Sequence, residues 1–491
     1  MKVKEVEYLE YSVLCGNDNA EYTDLVFDTR KVTENCLFIC IKGMKFDSHD
    51  VIDEIIKAGA KGIIVSHSVD IPCNAKINIY KVNDSRVALS LCSRAFFGYP
   101  EKKLTTVAVT GTKGKTTTAC MVKKLIEHAG FDCGLIGTLG IDIGNKHTDT
   151  NNTTPESYDI QKAFADMVEA GCKYAVMEAS SQAFLLSRVA GVTYDYAIFT
   201  NISNDHIGEG EHKDFQDYLD CKTQLFNQCR HGFVNADDDH AEYVITNSSC
   251  SDIKTFGTEK AADYSYSNIQ FVQNAELIGL KFDADFGDTK VTCEVSIPGK
   301  FNAPNAMGAL CVAHALGLER EVLSKALSKL FVNGRMELVY STEDLKVIVD
   351  FAHNEISTIN LLQTLRNYEA KRLVVVFGCG GNRSPERRYG MGRVCGEYAD
   401  FSIITEDNNR MEPFESILKD IHSTFDKTGG KCIDIPLRPD AVKYAIEHHQ
   451  PGDFVAIIGK GHEDYIDKEG VKTHYSDQES VRQAIKELGL N

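Results

Sequence analysis

The residues with the clearest chemical potential lie in the segment Thr110–Thr118, which reads Thr-Gly-Thr-Lys-Gly-Lys-Thr-Thr-Thr. Glycines at this spacing let backbone N–H groups face a phosphate, and Lys115 would neutralise the phosphate oxygens. The hydroxyl of Thr116 would face a magnesium ion. The complete P-loop pattern has a glycine where this chain has Val109. The segment therefore predicts a shortened phosphate loop rather than that of an ordinary GTPase or kinase.

Side chains that follow two strand-like runs could hold the magnesium ion of a nucleotide. Glu178 closes the run Tyr174–Glu178, and a carboxylate at the end of a strand beside the phosphate-loop strand is well placed for this. The pair Asp205 and His206 follows another such run and could form a second metal site or a capped turn. Lys222 lies among apolar residues of a predicted helix, where a lysine usually extends its amine to solvent.

Charged loops follow three buried, strand-like runs in the last third of the chain. They contain or adjoin Arg383, Arg388 and Arg410, with the acids Asp407 and Glu463 nearby. In open α/β sheets, ligands bind beyond the carboxyl ends of the strands. Arginines and acids together would suit a ligand that carries both carboxylate and ammonium groups, such as an amino acid. The alternative is a set of intramolecular salt bridges.

Two further groups of polar residues permit a functional and a plain structural interpretation. The loops Asp28–Lys31 and Asp47–His49 could hold a diphosphate, or could be solvated loop residues. Asn302 and Asn305 open a helical segment and could bracket an adenine, or merely cap the helix.

The elements that must position these residues alternate between strands and helices. Leu104–Thr110 is β-branched and apolar, which predicts a buried strand, and Thr118–Ala129 has the apolar spacing of a helix. Strand, glycine-rich loop and helix together favour a phosphate site over an ordinary turn. Thr154 and Pro155 have the residue types of an N-cap and a first helical position.

The same alternation predicts an α/β fold with three domains. These are a small N-terminal α/β domain over 1–102, a central P-loop-type ATPase domain over 103–334, and a C-terminal doubly wound, Rossmann-like domain over 335–491. The sequence of 237–295 has alternating, strand-like character.

Composition narrows the class of protein. The 491 residues are 43% hydrophobic and 25% charged, as in ordinary globular proteins, and the net charge of −18 argues against a nucleic-acid surface. No apolar run approaches 18 residues, and the 16 scattered cysteines include no C-x-x-C pair. These features predict reduced thiols in a cytoplasmic protein that is not inserted in a membrane.

Taken in order along the chain, the motifs resemble those of the Mur ligase family. They are Thr110–Thr117, Met177–Ser181, Phe199–His206, Lys222–Phe226, Phe301–Asn305, Gly334–Glu337 and Val349–His353. Two further segments, Asp407–Arg410 and Gly459–Glu463, resemble those of the members that attach the third residue of the peptidoglycan peptide.

The resemblance implies an ATP-dependent, ADP-forming amide ligase of peptidoglycan synthesis, and so a role in cell shape and division. The implied reaction joins a diamino acid to the D-Glu γ-carboxylate of UDP-N-acetylmuramoyl-L-Ala-D-Glu through an acyl phosphate. The implied cofactors are ATP and Mg²⁺, the implied partners are these small molecules, and a monomer is expected.

The resemblance also assigns roles to residues. Lys115, Glu178, His206 and Lys222 match catalytic positions; Lys222 matches a lysine that CO₂ converts to an anionic N6-carboxylysine, and it would bind metal with Thr116, Glu178 and His206. The positions matching nucleotide contacts are Gly111, Thr112, Lys113, Gly114, Lys115, Thr116, Thr117, Asn302, Arg335 and Asp350.

Substrate positions follow in the same way. Thr29 matches a residue that holds the UDP portion, and Thr153, Thr154, Ser180 and Arg188 match residues that hold the muramoyl-dipeptide. The positions matching contacts to the incoming diamino acid are Arg388, Asp407, Asn408, Arg410, Gly459 and Glu463. Arg410 suits the distal carboxylate of meso-2,6-diaminopimelate, which lysine lacks, so diaminopimelate is the favoured substrate.

The chain departs from the family pattern at several positions. Asn409 replaces a proline, Gln182 a common histidine and Lys113 a common asparagine; the segment 207–212 and Asn382 also differ. These departures leave alternatives open: the same reaction with L-lysine or another diamino acid, a folyl-glutamate type ligase, a degenerate paralogue, or a P-loop ATPase acting through a protein partner.

Overall fold

The computed structural model describes residues 1–490 apart from 44, 71–76, 206, 209–210, 259–261 and 275–276. The chain divides into two compact units. One comprises Met1–Ser265 and Met307–Glu319, and the other comprises Tyr266–Ala306 and Arg320–Asn491. Within the described part of the chain, no helix combines the length and the apolar character needed to cross a membrane.

The first unit begins with a five-stranded sheet of order β1-β5-β4-β3-β2, in which only β1 is antiparallel to its neighbour. The elements are β1 (Ser12–Cys15), β2 (Asp24–Val26), β3 (Cys36–Ile39), α1 (Ile52–Lys57), β4 (Gly62–Val65), β5 (Asn78–Lys81) and α2 (Ser85–Phe96). Asp84 caps α2 by accepting hydrogen bonds from the N–H groups of Arg86 and Val87.

The larger sheet of the first unit carries the phosphate loop. Its elements are β6 (Thr105–Thr110), α3 (Lys115–His128), β7 (Cys133–Gly137), β8 (Gly140–Ile143), β9 (Lys146–Thr148), α4 (Ser157–Glu169), β10 (Tyr174–Glu178), α5 (Ser181–Leu185), β11 (Tyr194–Phe199), α6 (Phe215–Thr223), β12 (Cys229–Asn235), α7 (Ala241–Thr246), β13 (Ile253–Gly257) and the start of β14 (Tyr264–Gln273). The strands β12, β11, β6, β10 and β7 are neighbours in that order and are parallel.

This order brings three chain segments to one sheet edge. In the register, Glu178 of β10 lies opposite Val109 of β6, and Phe199 of β11 lies opposite Thr110. Because parallel strands end on the same side of a sheet, the loops after β6, β10 and β11 are adjacent. Ile136, Phe164 and other side chains in the core beneath this edge are fully buried, so apolar packing holds the strand ends in place.

The next part of the chain contains β15 (Ile278–Asp285) and β16 (Lys290–Val295), an antiparallel pair, followed by α8 (Asn302–Ala315) and α9 (Arg320–Lys325). The main sheet of the second unit has the order β17-β18-β22-β19-β20-β21, and all but β17 are parallel. Its elements are β17 (Glu337–Ser341), β18 (Leu345–Asp350), α10 (Glu355–Arg366), β19 (Arg372–Phe377), α11 (Pro385–Tyr398), β20 (Phe401–Ile404), α12 (Phe414–Phe425), β21 (Cys432–Asp434), α13 (Arg438–Glu447), β22 (Asp453–Ile458), the hairpin β23 (Tyr465–Lys468) and β24 (Val471–His474), and α14 (Asp477–Leu488).

The predicted α/β fold, with a phosphate-loop domain and a doubly wound C-terminal domain, is confirmed. The prediction that Thr154 caps a helix starting at Pro155 is wrong, because α4 begins at Ser157 and follows Glu156. The Thr154 hydroxyl instead donates to the Glu178 carbonyl at 2.8 Å, and so it is bound to the end of β10. The helix after the phosphate loop begins at Lys115, three residues earlier than predicted. The domain boundaries at 102/103 and 334/335 stay predictions.

Candidate active site

The phosphate loop is a tight turn that connects β6 to α3. Gly111 and Gly114 have φ values of +149° and +85°, which favour glycine. A Cβ on Gly111 would lie 2.0 Å from the Thr200 hydroxyl oxygen, so a side chain there would displace the loop from β11. The Lys113 N–H donates to Asn201 Oδ1 at 2.9 Å. The loop is therefore held by the neighbouring strand end, with α3 starting directly after it.

Two lysine amines converge on one carbonyl of this loop. Lys115 Nζ and Lys222 Nζ each donate to the Gly111 carbonyl at 2.9 Å. Lys222, on α6, is 1% exposed. Burial, and after it the charge of Lys115, lower the pKa of Lys222 well below its usual value. Burial beside the loop therefore favours the neutral, nucleophilic form of this amine.

Glu178 and Thr116 provide the hard oxygen donors of the site. The Thr116 hydroxyl donates to Glu178 Oε2 at 2.9 Å, and the Thr138 N–H donates to Glu178 Oε1 at 2.7 Å. Glu178 is 2% exposed. A hydroxyl and a carboxylate are ligands that Mg²⁺ prefers, so these residues fit the predicted cation. His206, also predicted as a ligand, lies outside the described residues.

Gly137, at the end of β7, leaves room for the Glu178 carboxylate. A Cβ at this position would lie 2.3 Å from Glu178 Oε1. We expect Gly137→Ala to displace the carboxylate and to lower kcat about 10²-fold, because such a shift disrupts the productive geometry. Steady-state kinetics would check this, and the control is Gly144→Ala, whose Cβ would meet nothing within 4 Å and whose φ of +57° makes it a control for backbone strain as well as for the added methyl group. Unchanged kcat in Gly137→Ala would contradict it.

A group of polar side chains lies near Glu178 and Thr138. Thr154 contacts the Ser180 hydroxyl at 3.2 Å, and Thr153 contacts the Thr138 hydroxyl at 3.0 Å. Arg188 donates to the Thr154 carbonyl and to a Glu156 carboxylate oxygen, each at 2.9 Å. The structure therefore brings together the four residues that the sequence predicts around the muramoyl-dipeptide.

A cavity of about 490 Å³ lies next to this group. Its lining includes Phe27, Ile141, Asn152, Glu156 and Asp159. Thr29, predicted to hold the UDP portion, lies two residues after Phe27 in a short turn that Asp28 caps. The cavity has the volume of a small-molecule site.

The second unit holds the remaining residues that the sequence predicts at the nucleotide. Asn302 starts α8 and donates to the Pro298 carbonyl at 2.7 Å. Asp350, at the end of β18, accepts the N–H groups of Met336 and Ala352, each at 2.7 Å. Loss of hydration raises the pKa of Asp350, and the neighbouring Arg335 opposes this shift.

The loops after β20 and β22 also meet. Asn408 Nδ2 donates to Glu463 Oε2 at 2.8 Å, and a Cβ on Gly459 would lie 2.7 Å from Asp407 Oδ2. Arg410 has a φ of +51° and donates to the Gly381 carbonyl at 2.6 Å. The residues predicted to hold an amino acid thus occupy adjacent loops at one end of the sheet.

Two family descriptions match the chain. The Mur ligase middle domain matches residues 109–313, and the Mur ligase glutamate ligase domain matches residues 334–461. The chain is also 37% identical over 484 residues to the UDP-N-acetylmuramoyl-L-alanyl-D-glutamate–2,6-diaminopimelate ligase of Clostridium botulinum, covering 98% of each protein. The chain belongs to the Mur ligase family.

The chain is similar to other Mur ligases as well. The ligase of that name from Clostridium perfringens is 36% identical over 479 residues, covering 96% of this chain and 97% of the relative. A solved structure of a UDP-N-acetylmuramoyl-L-alanyl-D-glutamate–2,6-diaminopimelate ligase has a TM-score of 0.74 at 28% identity, covering 100% of this chain and 99% of that chain. The family resemblance predicted from the motifs is confirmed, and as a Mur ligase the protein is an ATP-dependent, ADP-forming ligase.

Lys460 belongs to this Mur ligase site, although the sequence motifs gave it no role. Lys460 is fully buried, and its amine contacts Asn408 Oδ1 at 3.2 Å and Glu463 Oε2 at 3.1 Å. It therefore orients two of the residues predicted to hold the amino acid. Its position between Gly459 and Gly461 could have indicated this role, because glycines allow a close approach of the backbone.

Arg388, predicted to hold the diamino acid, has partners within its own unit. Its guanidinium donates to Glu412 Oε1 at 2.7 Å and to Asp420 Oδ2 at 2.8 Å, and the residue is 2% exposed. Glu412 also accepts the Asn382 N–H at 2.9 Å. These contacts support the loop after β19, and a role of Arg388 towards the diamino acid stays a prediction.

Proposed function

We propose that this Mur ligase joins meso-2,6-diaminopimelate to the D-Glu γ-carboxylate of UDP-N-acetylmuramoyl-L-Ala-D-Glu, with conversion of ATP to ADP and phosphate. The main support for this proposal is that the chain is similar over nearly its full length to ligases named for this reaction. The geometry supports it, because phosphate-loop cations and hard oxygen donors lie at one sheet edge. The protein would act in the cytoplasm as a monomer, in peptidoglycan synthesis.

The reaction proceeds in two transfers. A γ-carboxylate oxygen of the substrate attacks the γ-phosphorus of ATP, the bond to ADP breaks, and an acyl phosphate forms. The amine of the diamino acid then attacks the acyl carbon and loses a proton, and the bond to phosphate breaks. Lys115 and the N–H groups of the loop, Gly111–Thr117, bind the phosphates and stabilise the charge that gathers on them.

Mg²⁺ would be held by Thr116, Glu178, the modified Lys222 and His206. When bound, it would offset negative charge on the phosphates and the attacking carboxylate. The lowered pKa of Lys222 supports carbamylation, because only a neutral amine attacks CO₂. The neutral amine forms a bond to the carbon of CO₂ and releases one proton, so that a buried neutral group becomes an anionic carbamate.

The substrate contacts are assigned within each unit separately. Thr29, Thr153, Thr154, Ser180 and Arg188 would hold the UDP-muramoyl-dipeptide. In the second unit, Asn302, Arg335 and Asp350 would contact the nucleotide, and the diamino acid would be held by Arg388, Asp407, Asn408, Arg410, Gly459 and Glu463.

Substitution of Arg410 tests whether the enzyme recognises the distal carboxylate of the diamino acid. We expect Arg410→Ala to lower kcat/KM for meso-diaminopimelate about 10²-fold, the size of a lost charge-assisted contact to a carboxylate. The low activity with L-lysine should not change, because lysine has no distal carboxylate. Arg482→Ala, an exposed arginine on α14, is the control, and an equal loss with both amines would refute the assignment.

The function itself is tested by phosphate release with ATP, Mg²⁺ and UDP-N-acetylmuramoyl-L-Ala-D-Glu. Strong release with meso-diaminopimelate and only low release with L-lysine are expected. Preference for lysine would keep the reaction and show that Asn409, in place of proline, changes the amine-binding loop. Release with neither amine would favour a degenerate paralogue, and ATP hydrolysis without a substrate would favour an ATPase with a protein partner.

A further inference from the structure

A group of metal-ligating side chains lies at the edge strand of the second unit. His422, on the last turn of α12, faces Cys432 and Asp434 of β21, and their ligand atoms lie within 4.8 Å of one another. Cys432 and Asp434 are two residues apart, so their side chains share one face of the strand. Ile433 between them packs against the core on the opposite face.

The hydrogen bonds of His422 leave one electron pair without a donor. Nδ1 contacts Asp426 Oδ1 at 2.8 Å, and Nε2 contacts both carboxylate oxygens of Asp434 at 3.1 Å. A neutral imidazole has one N–H, so it can donate to only one of these carboxylates. With Nδ1–H donating to Asp426, the Nε2 lone pair faces the Asp434 oxygens and the Cys432 sulfur. Once the Cys432 thiol has lost its proton, three electron-pair donors converge on one point, and this arrangement favours a cation there.

The local electrostatics agree with a cation-binding site. Partial burial lowers the pKa of His422, but the hydrogen bonds to Asp426 and Asp434 outweigh it, and the net shift is upward. Burial, followed by the charges of Asp434 and Asp426, raises the pKa of Cys432 to about 11. The carboxylates of Asp426 and Asp434 both contact the His422 ring, and this negative charge favours an added positive charge at the group.

We propose that His422, Cys432 and Asp434 form a binding site for a transition-metal ion of the Zn²⁺ class, separate from the site of the ligase reaction. Imidazole, thiolate and carboxylate are the ligands of Zn²⁺, whereas Mg²⁺ takes oxygen ligands. Ligands bound to one Zn²⁺ are about 3.5 Å apart, so the side chains need only a small adjustment. Metal binding would displace the Cys432 thiol proton to solvent.

Asp426 would act on this site through His422. A carboxylate that accepts the second N–H of a histidine fixes its tautomer and turns the other nitrogen towards the metal. The Nδ1 contact to Asp426 has this arrangement. The group formed by Asp47, His49 and His67 in the first unit differs, because His49 Nε2 already accepts the Ser66 N–H at 3.1 Å.

The test uses the full-length protein with Zn²⁺ and Co²⁺ as probes, in the presence of excess Mg²⁺. Zn²⁺ affinity is measured by competition with a chromophoric chelator, and Co²⁺ binding by the thiolate-to-cobalt charge-transfer absorption. The variants are Cys432→Ser, His422→Gln and Asp426→Asn. Cys250→Ser is the control, since this half-buried thiol lies outside the proposed cluster and contacts the backbone carbonyls of Arg230 and Asp252.

We expect the wild-type protein and Cys250→Ser to bind Zn²⁺ equally and to give the charge-transfer absorption. Cys432→Ser should lose the absorption, His422→Gln should bind Zn²⁺ at least about tenfold more weakly, and Asp426→Asn should keep the absorption with about tenfold weaker binding. Thermal unfolding in metal-free buffer would establish that the variants fold. An absorption that persists in Cys432→Ser, or a wild-type protein that binds no Zn²⁺, would overturn the proposal and leave a proton as the cation.

Discussion

Replacement of Lys222 by alanine is expected to lower kcat/KM of the ligase reaction about 10³-fold. The amine is buried beside the phosphate loop and its pKa is well below the usual value, which makes it the target of CO₂ in the proposed mechanism. Alanine removes the carboxylate that would hold Mg²⁺, and loss of one such stabilising group costs about two to three orders of magnitude. Initial rates of phosphate release measure the effect.

The matched control is Lys213→Ala, which changes an exposed lysine just before the same helix. It should leave the rate unchanged. The wild-type enzyme should also lose activity in CO₂-depleted buffer and regain it with bicarbonate, and ¹³C-bicarbonate should give a carbamate resonance that Lys222→Ala lacks. Full activity of the wild-type enzyme without CO₂ would show that the lysine acts unmodified.

Lys115→Ala is the second substitution with a large expected effect, also about 10³-fold in kcat/KM. Its amine lies at 2.9 and 3.1 Å from the carbonyls of Gly111 and Thr112, within the loop that would bind the phosphates. Removal of the charge weakens ATP binding and raises the barrier to phosphoryl transfer, where negative charge is greatest. ATP titrations and single-turnover rates separate the two contributions.

Lys113→Ala distinguishes this role from a general loss of positive charge. The Lys113 side chain is 58% exposed, and its amine pairs with Asp205 at 3.1 Å. We expect kcat/KM to fall less than about tenfold, because loss of an exposed ion pair has a small effect. Equal losses in Lys113→Ala and Lys115→Ala would contradict the specific role of Lys115.

The two lysines should also show coupling, because both amines contact the Gly111 carbonyl. Residues that act as a unit have non-additive effects. The double variant should therefore lose much less activity than the product of the single losses.

Local patterns in the sequence were sufficient for the main elements of the fold. The strand Tyr174–Glu178 was predicted with its observed bounds, because a short apolar run ends at a charged residue. The phosphate loop was also predictable, because its functional groups are contiguous and its glycines must adopt positive φ. The ordered set of motifs then identified the family.

The assignment of Thr154 failed for a physical reason. Its residue type is typical of a helix N-cap, but its hydroxyl bonds to Glu178 and Ser180, which are more than 20 residues away. A local pattern cannot show such a partner. The helix α3 also starts earlier than predicted, at Lys115. Its first turn follows directly from the phosphate loop and lacks the apolar spacing on which the prediction depended.

Local sequence patterns were sufficient to predict the fold class, the polar loops that follow the strands and the chemistry of the phosphate loop. Which side chains meet became evident from the three-dimensional structure: Lys222 with Gly111, Lys460 with Asn408 and Glu463, and Arg388 with Glu412 and Asp420. It also brought His422 to Cys432 and Asp434. The physical reason is that strand and helix signals are set by neighbouring residues, whereas these contacts depend on burial and on strand order between distant segments.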